Sequence, residues 1–391
     1  MMDCRLAEVA KVDSGAGFPL QYQGTQNATF PFLKVSDMNL EGNEREIQRW
    51  NNSVSDEVRG KLRAKAFPAG SLIFPKIGAA IGTNKKRQLT QPSCVDNNVM
   101  AVIPKAELLE PDFLYFLFLA KNISDFASDS NPPSIRKSEV ENWQVRVPTL
   151  SEQRRIVDIL SRAAGIVRLR REAQQKAAEL VPGIFIDMFG DPATNPKGWD
   201  CKNLGDFSRI IGGSSLPPGE TYCGQSDGVL LMKVSDMNLP GNEVNIISCK
   251  EWITEPPRSY SKVATGTIVF PKRGASIATN KKRITTRHTL LDPNLMGVES
   301  NEQVARTAYL YQWFSAFNLA DISSGTTVPQ LNKGDLTPLV VPIPPLLLQK
   351  AFEEKRSSVF SILSQQITAT AKAEATFSAL LAHAFSSKEN L

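Results

Sequence analysis

The chain is 391 residues long, 41% hydrophobic and 22% charged, with 45 Lys and Arg against 40 Asp and Glu for a formal net charge of +5. That length provides for two or three domains and more than one core, and the mild basic excess admits nucleic acid as a partner without requiring it. Two histidines and five scattered cysteines with no Cys-x-x-Cys pair supply poorly a histidine general base, a metal centre or a disulfide framework.

In chain order, the N-terminal MMDCRLAEVAKVDSG carries charges where a signal peptide needs an apolar run. The longest apolar stretch, Phe113 to Ala120, is too short to span a bilayer. A reducing, cytoplasmic setting without membrane contact is expected. Lys34-Val35-Ser36-Asp37-Met38-Asn39 reads either as a strand running into an Asx turn or as a polar contact surface for DNA, with Lys34 the contact. Ser71 to Phe74 reads as a buried strand followed by Pro-Lys and a glycine turn, Val99 to Ile103 as a second strand, and Phe113 to Lys121 as a short buried helix. From Ser151 to Phe185, apolar or small residues at Ile156, Leu160, Ala163, Val167, Ala173, Ala177 and Leu180 form one stripe at helical spacing. Ser151-Glu152-Gln153 supplies a cap and an early acid, and roughly 35 residues of helix extend about 50 Å.

The second half then repeats the first. Lys34 to Leu40 recurs unchanged at Lys233 to Leu239, and Phe74 to Arg87 recurs at Phe270 to Arg283 with three changes. The register persists through Leu114 and Leu310, Lys137 and Lys333, Gln153 and Gln349, and Phe189 and Phe385. A period near 200 residues is too long for a solenoid and marks a duplicated domain. The second helix repeats the stripe at Phe352, Val359, Leu363, Ala369, Ala373, Phe377 and Leu380. A long helix with one apolar stripe needs a partner. Each helix packs on its own globule, or the two form an antiparallel coiled-coil pair bridging the globules; small residues along the stripe favour the pair. The expected fold is mixed α/β (α+β): a globule at 1–148, a helix at 149–190, a globule at 191–343 and a helix at 344–391.

The strongest chemical feature is Asn84-Lys85-Lys86-Arg87 after a turn holding Gly78 and Gly82, repeated as Asn280-Lys281-Lys282-Arg283 after Gly274. Glycines admit close backbone approach, cations neutralise phosphates, and an amide can pair with a base edge. A solvated basic turn is the bland alternative; recurrence in both copies favours DNA contact. Lys76 and Lys272 precede the turn and join that surface, as does Lys233 in the second copy of the Lys-Val-Ser-Asp segment. Arg273 replaces Ile77 and could distinguish the two halves. The helix arginines Arg154, Arg155, Arg162, Arg168, Arg170 and Arg171 suit solvent, phosphate or an acidic partner equally well.

Two features point to catalysis and fail on inspection. Asn131-Pro132-Pro133-Ser134 lacks the aromatic with which adenine-N6 methyltransferases stack on a flipped base. Asp13-Ser14-Gly15-Ala16-Gly17 runs directly into Phe18-Pro19 rather than opening a helix.

The layout of globule, long helix, globule, long helix resembles the specificity subunits of type I restriction-modification systems. Val147-Pro148-x-Leu150-Ser151-Glu152-Gln153-Arg154-Arg155-Ile156 is similar to that family's approach to its central helix. Ile186-Asp187-Met188-Phe189-Gly190-Asp191-Pro192, followed by Asn195-Pro196-Lys197-Gly198-Trp199, is similar to its exit into the second target-recognition domain. Gly325-Thr326-Thr327-Val328-Pro329-Gln330-Leu331-Asn332-Lys333 is similar to its loop before the last strand. The resemblance implies a non-catalytic subunit of a prokaryotic cytoplasm. Each globule would read half of a bipartite double-stranded DNA target, and the helices would set spacing and dock methyltransferase subunits. S-adenosylmethionine would sit on those partners and no cofactor on this chain; a translocating endonuclease subunit is a further partner it allows. Near-identical turns suggest inverted, related half-sites. The second helix begins Pro344-Pro345-Leu346-Leu347-Leu348-Gln349-Lys350 without Glu-Gln-Arg-Arg, so the two docking surfaces differ. A coiled-coil scaffold that binds only protein is the competing reading, and a catalytic adenine methyltransferase the remoter one.

Overall fold

The computed structural model describes residues 2–257, 260, 262–324 and 329–385. Gly325, Thr326, Thr327 and Val328 of the loop noted above, and the last six residues of the expected C-terminal helix, lie outside them. The chain forms two compact units: Met1–Arg171 with Thr368–Leu391, and Glu172–Ile367. These cut across the four-part division drawn from the sequence, because each takes one globule together with half of each long helix.

In the first unit a mixed sheet is built from β1 (Ala10–Ser14), β2 (Glu46–Ile47), β3 (Leu72–Pro75), β4 (Arg87–Leu89) and β5 (Val99–Pro104) in the order β1-β5-β3-β4-β2. All neighbours are antiparallel except β2 and β4. Four successive buried residues open β5 and all of β3 is buried, the pattern of strands covered on both faces. The helix α1 (Pro111–Leu119) begins with proline at its first position and buries Phe113 through Phe118 against β3. The second unit repeats the sheet with β6 (Ser208–Gly212), β7 (Asn245–Ile246), β8 (Ile268–Pro271), β9 (Arg283–Thr285) and β10 (Leu295–Ser300) in the equivalent order, and its buried helix is Thr307–Ala316. Even the register repeats: Leu72 pairs with Val102 and Ile268 with Val298.

The long helices run Leu150–Phe189 and Leu346–Phe385, 40 residues each, or about 60 Å. The first starts one residue before the expected cap: the Gln153 amide donates to the Thr149 carbonyl at 2.9 Å, leaving Ser151 inside the first turn. It also continues through Pro182, which lies exposed within it. Packing of Val181, Phe185 and Phe189 into the second unit's core offsets the missing amide, whose carbonyl partner lies on the solvent side.

Within each unit the helix halves run antiparallel. In the first, Leu160 shares a core with Phe377, Leu380 and Phe385, while Arg171 pairs with Glu374 at 2.5 Å. In the second, Phe185 and Phe189 meet Phe352 at ring distances of 5.5 Å. Gln153 and Gln349 fasten the helix starts to their globules. The buried Gln153 side chain accepts from the Glu110 amide at 2.8 Å and donates to the Leu108 and Pro148 carbonyls, and Gln349 does the same with Arg306, Val304 and Pro344. Among the described residues no helix is long and apolar enough to cross a membrane.

Candidate nucleic-acid interface

The two segments repeated in the sequence meet in space. From β3 the chain passes Lys76 and Ile77 into a 3-10 turn, Gly78–Thr83, and enters β4 through Asn84, Lys85 and Lys86. Gly78 has φ of 73° and Asn84 one of 53°, as Gly274 and Asn280 have 72° and 51°. Left-handed backbone explains glycine at the first position and asparagine at the second. Gly82 is not in that region and Ala278 stands at its equivalent, so only one of the two glycines does conformational work.

The structure distributes Asn-Lys-Lys-Arg over two roles that the sequence does not separate. Lys86 is 2% exposed and Lys282 4%. The Lys86 ammonium donates to Asn84 Oδ1 and the Lys121 carbonyl, both at 2.7 Å; Lys282 donates to Asn280 Oδ1 at 2.7 Å and the Phe317 carbonyl at 2.6 Å. Asn84 Oδ1 also accepts from the Ile123 amide and Asn280 Oδ1 from the Leu319 amide, each at 3.0 Å. Arg87 and Arg283 are half-buried and donate through Nη1 to the preceding lysine carbonyl and through Nη2 to the carbonyls of Met38 and Met237. These six side chains, expected to face DNA, tie the turn to the segment that follows the buried helix and to the Lys-Val-Ser-Asp-Met-Asn segment.

Lys85 and Lys281 take the outward role. Lys85 Nζ donates to Asn39 Oδ1 and Lys281 Nζ to Asn238 Oδ1, at the periphery. The Lys-Val-Ser-Asp-Met-Asn segment is itself a 3-10 turn, Val35–Asn39 in the first unit and Val234–Asn238 in the second. The segment is therefore a capped 3-10 turn rather than an Asx turn: Asp37 is fully buried, with Oδ2 reaching back to accept from the Lys34 amide at 2.7 Å and Oδ1 accepting from the Asn51 amide at 3.0 Å. Asn43 and Asn242, not singled out from the sequence, are fully buried and bond four backbone groups each. Repetition of Gly-Asn-Glu one residue beyond each shared segment was the available signal.

The remaining cations divide between the units. Lys34 reaches Gln23 Oε1 at 3.2 Å, while Lys233 pairs with Glu251 at 2.5 Å, a contact that raises its pKa. Lys76 is held by Ser14 Oγ at 3.0 Å. Lys272 faces Gly212, where a Cβ would lie 3.1 Å from its Nζ, and Arg273 beside it is exposed. On the first long helix Arg154, Arg155, Arg162 and Arg171 pair with Glu110, Glu152, Asp158 and Glu374, exposed pairs of about 0–1 kcal/mol each. Among the described residues no group of three or more His, Cys, Asp or Glu is placed to hold a metal.

Burial pushes Lys86 and Lys282 down to about 8 from the ordinary 10.5. Between those values the unfolded chain holds a proton the folded chain has released, so this contribution to stability rises with pH through the window and is absent below it. Urea unfolding at pH 7.5 and pH 10 is expected to show each unit of the native protein gaining on the order of 2 kcal/mol relative to K86M/K282M. Parallel changes in both proteins would show that the two ammonium groups are not the source.

Residues 1–178 match the family profile described as the type I restriction modification DNA specificity domain. Two proteins of Methanocaldococcus jannaschii are similar. The type I restriction enzyme MjaIX specificity subunit is 24% identical over 78% of this chain and 74% of its own length; the putative type I restriction enzyme MjaX specificity subunit is 22% identical over 68% and 65%. Among solved structures, a chain from work on complex assembly and conformational transition of the type I R-M system aligns over 97% of this chain and 96% of its own, with a TM-score of 0.59 and 19% identity. The S subunit of a type I restriction-modification system from M. genitalium aligns over 99% and 96%, with a TM-score of 0.54 and 13% identity. At these identities the structural likeness establishes a shared fold.

Proposed function

We propose that the chain is a type I restriction-modification specificity subunit, which reads a bipartite duplex DNA target and docks methyltransferase subunits, without a catalytic site of its own. The carrying observation is that the same cationic turn, set on the same buried Asn-Lys clamp, occurs in both units. A turn whose inner cations fix its shape and whose outer cations are presented is pre-organised to grip phosphates, with neighbouring side chains left to read base edges. Lys34, Lys76, Lys85, Lys233, Lys272, Lys281 and Arg273 form the contact set; Asn84, Lys86, Arg87, Asn280, Lys282 and Arg283 position it. S-adenosylmethionine belongs to the methyltransferase partners, a translocating endonuclease subunit completes a restriction-competent assembly, and the setting is the prokaryotic cytoplasm. Near-identity of the two turns supports half-sites of related, inverted sequence.

The test is duplex DNA binding by the chain together with its methyltransferase across a salt series. Each phosphate contact contributes about 0.9 to the slope of log affinity against log salt, so K85A/K281A is expected to lower the slope by roughly 2 at every sequence. K86M/K282M, if it remains folded, should leave the slope nearly unchanged. Absence of salt-dependent DNA binding by the assembled complex would overturn the proposal and favour a scaffold that binds only protein.

A further inference from the structure

The turn differs between the units at three of fourteen positions, and only the replacement of Ile77 by Arg273 changes charge. Both residues immediately precede the 3-10 turn in extended conformation, and both bridge to a facing segment, Ile77 to Ser134 and Arg273 to Gln330. A hydrophobic and hydroxyl pair in one unit thus becomes a guanidinium and amide pair in the other, at the same place in the same fold. The change extends to the neighbouring lysine. Lys76 is tied to Ser14 Oγ, whereas the residue facing Lys272 is Gly212, which offers no side-chain acceptor. Among the described residues the Arg273 guanidinium has no hydrogen bond or ion pair. Gln330 donates through Nε2 to Asn332 Oδ1 at 2.8 Å, and its own Oε1 has no donor among them.

An exposed guanidinium whose donor fork is unused among the described residues, on a backbone fixed by a left-handed glycine and a bridge, suits bidentate recognition. Arginine pairs in this way with the O6 and N7 edge of guanine, whereas isoleucine offers only apolar contact, as to a thymine methyl. Resting on the DNA-reading role proposed above, we propose that Arg273, flanked by Gln330, is the specificity-determining residue that makes the second unit's half-site differ from the first, by selecting a guanine. Lys272 adds phosphate affinity beside it.

The experiment is selection of bound sites from duplexes randomised at both half-sites, using the chain assembled with its methyltransferase. The wild-type complex is expected to select two related half-sites that differ at a step where one carries guanine. R273I/Q330S should reduce the preference for that guanine by roughly ten- to hundredfold while leaving the other half-site intact. The reciprocal I77R/S134Q should create a guanine preference in the other half-site, and decides the matter alone if the first variant does not fold. Two identical wild-type half-sites would overturn the assignment, as would an unchanged motif in R273I/Q330S accompanied by a uniform loss of affinity, the mark of a phosphate contact. Failure of the wild-type complex to select any sequence would instead sink the DNA-reading role itself.

Discussion

Replacing Phe352 with alanine is expected to destabilise the second unit by about 3–5 kcal/mol. Phe352 is fully buried on the C-terminal helix, its ring 5.5 Å from those of both Phe185 and Phe189. Those rings in turn lie 5.4 and 4.9 Å from Tyr309 of the buried helix. Truncation therefore removes a ring that packs on both Phe185 and Phe189 of the facing helix and opens a cavity walled by aromatic rings, which pack in fixed tilted geometries and cannot collapse inward cheaply. F352L, which keeps most of the volume, should cost no more than roughly half as much. Ile156 holds the equivalent position in the first unit but is only half-buried, so I156A should be the mildest of the three. Denaturant midpoints of the three variants give the comparison; a loss below about 1 kcal/mol for F352A would mean that the helix halves are not joined through this ring.

Much of this architecture was legible because the sequence states it twice. The repeat, both long helices, the strands after Ser71 and Thr267, and the buried helices after Glu110 and Arg306 all follow from periodicity and spacing. What periodicity does not carry is depth. Lys85 and Lys86 are adjacent cations, yet in a strand approach they point to opposite faces, and the half-buried Asn84 captures the second through Oδ1. Likewise Gln153, read as part of a polar helix start, is wholly buried and satisfies three backbone groups of its globule. Polar residues that service buried backbone resemble surface residues in sequence because composition does not record where carbonyls are left unpaired. The boundaries drawn at the helix ends also differ from the compact units, since a helix that is continuous in sequence can bury its two halves in different cores.

The same reasoning makes the buried aspartates the most sensitive point of the interface. D236A is expected to cost at least about 3 kcal/mol, because buried donors left without an acceptor each cost about 1–3 kcal/mol. Asp236 is fully buried, with Oδ2 accepting from the Lys233 amide at 2.7 Å and Oδ1 from the Lys250 amide at 3.2 Å. Asparagine does not rescue the site: its NH2 would oppose one of these two amides, so D236N should recover only part of the loss. Function should fall with the turn. The segment held by this carboxylate supplies Asn238, the acceptor for Lys281, and the Met237 carbonyl, the acceptor for Arg283. Releasing it detaches the outer lysine and the inner arginine from a common support. D236N is therefore expected to weaken DNA binding by the assembled complex at temperatures where the rest of the second unit remains folded, whereas F352L, of comparable cost in stability, should not. Equal binding by the two variants under those conditions would show that this turn does not organise the contact surface, and that the carboxylate serves the fold alone.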